Sequence, residues 1–188
     1  MSAHLDTCAP AHDGKGASQI LIRMRFEDEL DPRYWLLLEV RTKAKLVKLD
    51  GLLREVWLEC CGHMSAFHLG RDEVPMGSEV DFLTRAGRQP LYYEYDFGST
   101  TTLRAQIVGT RLGAPGRAAI RLLARNDAPT WKCVKCSKPA LFVGPFCVKH
   151  DHCVLCTAHA RAHEHADEDA YLPVVNSPRM GVCGYTGG

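Results

Sequence analysis

Six of the nine cysteines and five of the nine histidines fall in the last third of the chain, from Cys133 onward. That crowding limits the fold more than any other feature of the sequence. It contains two C-x2-C steps, Cys133-x2-Cys136 and Cys153-x2-Cys156, separated by sixteen residues. A C-x2-C turn presents two thiolates from one small loop, and two such turns supply the four soft ligands of a tetrahedral zinc ion. The odd cysteine count argues against a disulfide framework. So does the N-terminal stretch MSAHLDTCAPAHDGKGAS, which lacks the apolar centre of a secretion signal. The thiols are expected to stay reduced in the cytoplasm.

A second ligand set is interleaved with the first. Cys147-x2-His150 forms one pair, and His159, His163, His165 and Cys183 are candidates to complete it. The run from Cys133 to Cys156, followed by histidines, resembles the cross-braced spacing of RING and B-box zinc domains. In those domains the first and third pairs share one ion, and the second and fourth share another. A sequential arrangement is equally open: Cys133, Cys136, Cys147 and His150 on one ion, and Cys153, Cys156, a histidine and Cys183 on the next. Either way the expected cofactor is Zn2+, two ions and both structural. Residues 127–188 carry few large apolar side chains and need a staple to fold. Glu164, Glu168 and the acidic run Asp167 to Asp169 could serve an open zinc as a base, but HEHADED reads more simply as a solvated acidic surface.

Upstream of the cysteines the pattern is that of a folded domain. Residues 1–18 are polar and without period and are assigned no structure. From Gln19, Ile20, Ile22, Met24 and Phe26 alternate with polar positions as in a half-buried strand, and Tyr34 to Val40 is an apolar run of strand length. Leu46, Leu49, Leu53, Val56, Trp57 and Cys60 then recur at three- and four-residue steps, which predicts a helix from Leu46 to Glu59 closed by Gly62. HMSAFHL alternates again, LYYEYDF and TTTLRAQIVGT read as a hairpin, and AAIRLLA supplies a last strand. This order predicts an α+β fold with a mainly antiparallel sheet and a covering helix over residues 19–126, followed by a small zinc-stabilised module over residues 127–188.

The strings YWLLLEV, LREVWLECCGHMSAFHLG and YEYDFGSTT resemble the plasmid pRiA4b ORF-3-like family, known also as a passenger gene of some insertion elements. The likeness spans about residues 20–125. It implies the fold of that family and little about activity, because the family has no established reaction. Members often carry an aspartate and an aromatic residue after Tyr-Asp-Phe-Gly, where this chain has Ser99, Thr100 and Thr101. The cysteine-rich segment looks like an addition carried by a subset of members.

Other residues admit simpler roles. Cys60, Cys61, His63 and His68 gather at the end of the predicted helix, yet Cys60 also fits the helix's apolar face, and adjacent cysteines rarely chelate one ion. Asp96-Phe97-Gly98 lacks every other kinase element and suits a hairpin turn. Lys plus Arg (23) and Asp plus Glu (22) nearly cancel, so any attraction for nucleic acid must be local. Arg104, Arg111, Arg117, Arg121 and Arg125, continued by Lys132, Lys135, Lys138 and Lys149, could form a phosphate-tracking stripe. The terminal Gly187-Gly188 pair has no visible processing signal. The expectation is a non-enzymatic zinc-binding protein that meets a protein or nucleic-acid partner, the two nearly tied, and no membrane. The alternative is a hydrolase or thiol-dependent enzyme using an open zinc or Cys60, Cys61 and His63.

Overall fold

A computed structural model of the chain describes residues 2–87, 89–144, 153–162 and 171–188. Two compact units divide the chain, Met1–Leu52 with Met64–Asn126, and Leu53–His63 with Asp127–Gly188.

In the first unit the alternating segments form strands β1 (Gln19–Asp28), β2 (Trp35–Arg41), β3 (Ser65–Leu69), β4 (Asp72–Val74), β5 (Leu91–Tyr95), β6 (Thr101–Gly113) and β7 (Ile120–Arg125). They make one sheet in the order β4-β3-β5-β6-β1-β2-β7, with every neighbouring pair antiparallel. Alternation sends Met24, Phe26, Leu36, Leu38, Phe67, Tyr93 and Leu103 to the core, each with no exposed surface. Helix α2 (Leu46–Leu53) buries Leu46 and Leu49 completely. Its Asp50 Oδ1 accepts hydrogen bonds from Tyr93 Oη and Ser65 Oγ, both at 2.7 Å, which ties the helix to β5 and β3. The hairpin between β5 and β6 turns at Asp96, whose φ of 64° is eased by its own Oδ1 accepting the Gly98 amide at 3.0 Å. The architecture is therefore α+β and mostly antiparallel, with few helices.

The opposite face of the sheet carries charge. Glu39 of β2 is 2% exposed and accepts from Arg111 Nε at 2.5 Å and from the Arg121 guanidinium. Asp13 accepts from Arg111 at 2.7 and 2.9 Å and from Arg121 at 3.1 Å, and Asp6 accepts from Arg23. The N-terminal stretch, expected to lack structure, includes helix α1 (Ser2–Ala11), tied down by Asp6 on Arg23 and, just past its end, by Asp13 on Arg111 and Arg121. Ala9 is its one buried apolar residue among those described, so it carries no apolar period to read. Two arginines of the predicted stripe, Arg111 and Arg121, are thus engaged by carboxylates, and Arg104 pairs with Glu27 at 3.5 Å.

The second unit contains a three-stranded antiparallel sheet of β8 (Phe142–Gly144), β9 (Cys153–Leu155) and β10 (Leu172–Pro173), in the order β10-β8-β9, and the short helix α3 (Thr157–Arg161). Two small apolar clusters flank it. Leu155 and Phe142 pack with Cys133, Cys153, Cys156 and Ala160, whereas Val143 and Val154 pack with Ala140 and Met180. No helix among the described residues is long and apolar enough to cross a membrane.

Candidate metal centres

The first cluster grows from a tight hairpin. Lys132 and Pro139 bridge, and the Cys133 amide donates to Lys138 O at 2.9 Å, so the C-x2-C between them curls back on itself. The Cys136 amide donates to Cys133 O at 3.2 Å, and the Lys135 amide reaches the Cys133 sulfur. The other two ligands come from the start of α3. Cys156 stands just before the helix and His159 lies three residues on, a step that puts both side chains on one helical face. Cys133, Cys136, Cys156 and His159 thereby bring four ligand atoms within 4.8 Å of one another.

The distances suit a four-coordinate metal ion. Bonds of about 2.3 Å to sulfur and about 2.0 Å to nitrogen in a tetrahedron imply ligand edges of about 3.6–3.8 Å. Cys133 Sγ lies 3.3 Å and Cys156 Sγ 3.4 Å from His159 Nδ1, and Cys136 Sγ is 3.9 Å from Cys156 Sγ. The charge is also prepared for. Burial pushes the Cys133 thiol up, but the Cys156 and Lys135 amides and the His159 ring outweigh it and bring the thiol down to about 6. For Cys136 the Lys138 amide acts the same way, yet burial and the neighbouring cysteines leave the thiol raised. Thiols this close cannot all ionise without a cation among them.

Among the described residues, Cys153 lies outside this set of four; the cross-braced spacing would put both C-x2-C steps on one ion, and the sequential one would put Cys153 on the next. It starts β9, and an extended strand rises about 3.3 Å per residue, so Cys153 and Cys156 are about 10 Å apart along the chain. Cys153 instead lines the same apolar cluster as Leu155. Cys147, His150, His163 and His165 lie outside the described residues.

The second cluster is Cys60, Cys61, His63 and Cys183, again with four ligand atoms within 4.8 Å. The sequence pattern favours a plain packing role for the first three and places Cys183 with the histidines of the C-terminal module; the fold joins all four instead. Helix α2 ends in a wide turn over Arg54–Leu58, in which the Glu59 amide donates to Arg54 O at 2.9 Å. Gly62, at φ 76°, then folds the chain so that His63 returns toward Cys61. Arg54 fastens this loop by donating to Glu59 Oε2 at 2.9 Å and to His63 O at 2.7 Å. His68 belongs elsewhere, on β3, with its Nε2 3.4 Å from Glu94 Oε2.

Cys183 reaches this loop through its own anchored turn. Ser177, 1% exposed, donates from Oγ to Trp57 O at 2.6 Å and accepts the Arg179 amide at 2.8 Å. Short turns follow, in which Val182 donates to Arg179 O and Tyr185 to Val182 O, and Cys183 itself sits at φ 50°. The cluster edges are 2.9 Å (Cys61 to His63 Nε2), 3.2 Å (His63 Nε2 to Cys183), 3.5 Å (Cys61 to Cys183) and 3.8 Å (Cys60 to Cys61). Hydrogen bonding with Cys183, partial desolvation by the neighbouring side chains and contact with Cys60 push the Cys61 thiol up to about 12. Gly181 lies two residues before Cys183. Its φ is 80°, and an added Cβ would meet Val143 Cγ2 at 3.1 Å. Gly181→Ala is accordingly expected to lower stability by about 1–2 kcal/mol, read from urea denaturation of the full chain.

Two Cys/His clusters able to hold a metal ion are thus present among the described residues, each with three thiols and one imidazole. No protein-family model and no curated protein matches the chain. Among solved structures the chain is similar to a protein of unknown function from Methanosarcina mazei Go1, at 14% identity and a TM-score of 0.49, over 57% of this chain and 69% of that one.

Proposed function

We propose that this chain is a non-enzymatic zinc protein whose second unit is a metal-stapled recognition module. The carrying observation is the set of four protein ligand atoms at Cys133, Cys136, Cys156 and His159, all within 4.8 Å of one another, which would fill a zinc ion's tetrahedron without a reacting water. Such a set fixes shape. A second zinc belongs at Cys60, Cys61, His63 and Cys183, a ligand set different from the one expected within residues 127–188. The test is metal analysis with X-ray absorption at the zinc edge. Three sulfurs and one nitrogen per ion are expected, and an oxygen ligand would turn the reading toward an enzyme with an open zinc.

The recognition surface is the hairpin that carries Cys133 and Cys136. Val134 and Leu141 stand 54% and 56% exposed there beside exposed Lys132, Lys135 and Lys138. Apolar side chains among lysines suit an acidic protein surface. With Arg111 and Arg121 held by carboxylates, the case for a phosphate-tracking stripe is weaker. Retention on a DNA or RNA pool is expected to be absent at low salt, whereas binding that falls steeply with salt would establish a nucleic-acid partner instead. The proposal also takes residues 20–125 as a pRiA4b ORF-3-like domain and the cytoplasm as its location, where the thiols stay reduced.

A further inference from the structure

We propose that the Cys60, Cys61, His63 and Cys183 cluster is an oxidant-responsive zinc site, in which peroxide joins Cys61 to Cys183 and expels the metal. This rests on the zinc reading above and adds a chemical role for one of its two sites.

Two observations point to a metal here. The first is the four-ligand geometry. The second is Arg179, which has no exposed surface and donates from Nη2 toward Cys60 Sγ at 3.8 Å. Three thiolates and a neutral imidazole around Zn2+ carry one net negative charge, and a buried guanidinium against one of those sulfurs offsets it. Beside a neutral thiol the same guanidinium would gain far less from that contact.

Exposure separates this cluster from the other. Cys133 and Cys156 are each 5% exposed and face an apolar cluster, whereas Cys61 and Cys183 are both open to solvent. Zinc keeps sulfur in thiolate character, and thiolate character with access governs oxidation. The Cys61 and Cys183 sulfurs lie 3.5 Å apart, and they come from segments 122 residues apart in sequence, so no vicinal ring strain opposes their union.

The chemistry balances with hydrogen peroxide as oxidant. The Cys61 thiolate attacks one peroxide oxygen, the O–O bond breaks, and hydroxide leaves and is protonated to water. The Cys183 thiolate then attacks the resulting sulfenic sulfur, the S–S bond forms, and the second oxygen leaves as water. Two thiolates lose two electrons, the peroxide takes them up with two protons from solvent, and Zn2+ is left with Cys60 and His63 alone. Two ligands do not retain it against solvent. The Glu59–His63 loop keeps its tether to the Cys183 turn, but His63 and Cys60 are freed.

The experiment treats the full zinc-loaded chain with hydrogen peroxide, follows zinc release with a colorimetric chelator, and maps thiols by alkylation and mass spectrometry. Zinc stoichiometry is measured first. One equivalent is expected to leave at least tenfold faster than the zinc at Cys133, with a Cys61–Cys183 cross-linked peptide appearing at the same rate. Cys61→Ser should remove that fast phase and leave the slow one, and the peptide map of the unaltered chain decides the matter on its own should the variant fold poorly. Release from both clusters at one rate, release without the cross-link, or zinc at the first cluster alone would overturn the inference and leave the structural zinc standing. A chain with no zinc before peroxide is added overturns both.

Discussion

Cys156→Ala is expected to cost one zinc equivalent and to unfold the second unit while the seven-stranded sheet stays folded. Cys156 joins the two halves of the first cluster, standing 3.9 Å from the Cys136 sulfur and 3.4 Å from His159 Nδ1. Structural zinc in small modules supplies apparent binding energies on the order of 10 kcal/mol, and that energy is folding energy. Whole domains are stable by only about 5–15 kcal/mol. The apolar clusters beside β8 and β9 are small, with Leu155, Val143, Val154 and Met180 as their largest buried members, so they cannot replace the metal. Hydrogen exchange followed along the chain is the direct measurement. Amides of Phe142–Gly144 and Cys153–Leu155 should lose protection, and those of β1 and β2 should keep it. A strong chelator should reproduce the pattern in the unaltered chain. Unchanged protection in β8 and β9 would mean that the unit folds without its metal.

Glu39→Gln should destabilise the first unit by about 3 kcal/mol at pH 7, the toll of removing one partner from a buried set of charges. The carboxylate is 1% exposed and receives Arg111 and Arg121 together, with Arg23 Nε at 4.0 Å. Burial raises the Glu39 carboxyl, but Arg111 and Arg121 together overcome it and hold the group below the usual carboxylate range. A depressed folded-state pKa contributes stability that is present above the unfolded value, about 4.3, and is lost as pH falls through the folded one. Urea midpoints of the two proteins should therefore differ most near neutrality and converge in acid. Equal midpoints at pH 7 would show that Asp13 compensates the arginines alone. Asp13 is itself held well below the carboxylate range, chiefly by Arg111.

What could be read from residues alone follows the reach of each interaction. Period-two alternation in Ile22, Met24 and Phe26, and the three- and four-residue steps from Leu46, report contacts that repeat locally, and β1 and α2 lie where those patterns sit. The Cys133-x2-Cys136 turn is equally local. His159 is one candidate among several in the sequence because only the start of α3, just after Cys156, makes it the ligand three residues on. C-x2-C spacing alone does not say whether the backbone between the cysteines curls or extends, and Cys153 opens β9 whereas Cys156 stands at the start of α3. The second cluster is not legible, since Cys61 and His63 find Cys183 only through the Ser177 to Trp57 hydrogen bond and the turns after it. A vicinal Cys-Cys-Gly-His run, together with a later Cys-Gly, is the signal available, and each glycine does adopt positive φ. The N-terminal helix leaves no trace for a similar reason: its attachment is by single carboxylates to arginines far along the chain.

The span of the two clusters along the chain fixes the order in which a ribosome completes them. The first closes within 26 residues, Cys133 to His159, whereas His63 waits for Cys183, 120 residues later. At about 5–20 residues per second that interval is roughly 6–24 s, during which Cys60, Cys61 and His63 emerge with three of their four ligands in hand. An incomplete set of that kind binds metal weakly and exchanges it freely. On the proposed zinc reading, synthesis would complete the buried cluster first and the solvent-exposed one last, so under zinc shortage a newly made chain would fill Cys133, Cys136, Cys156 and His159 before Cys60, Cys61, His63 and Cys183.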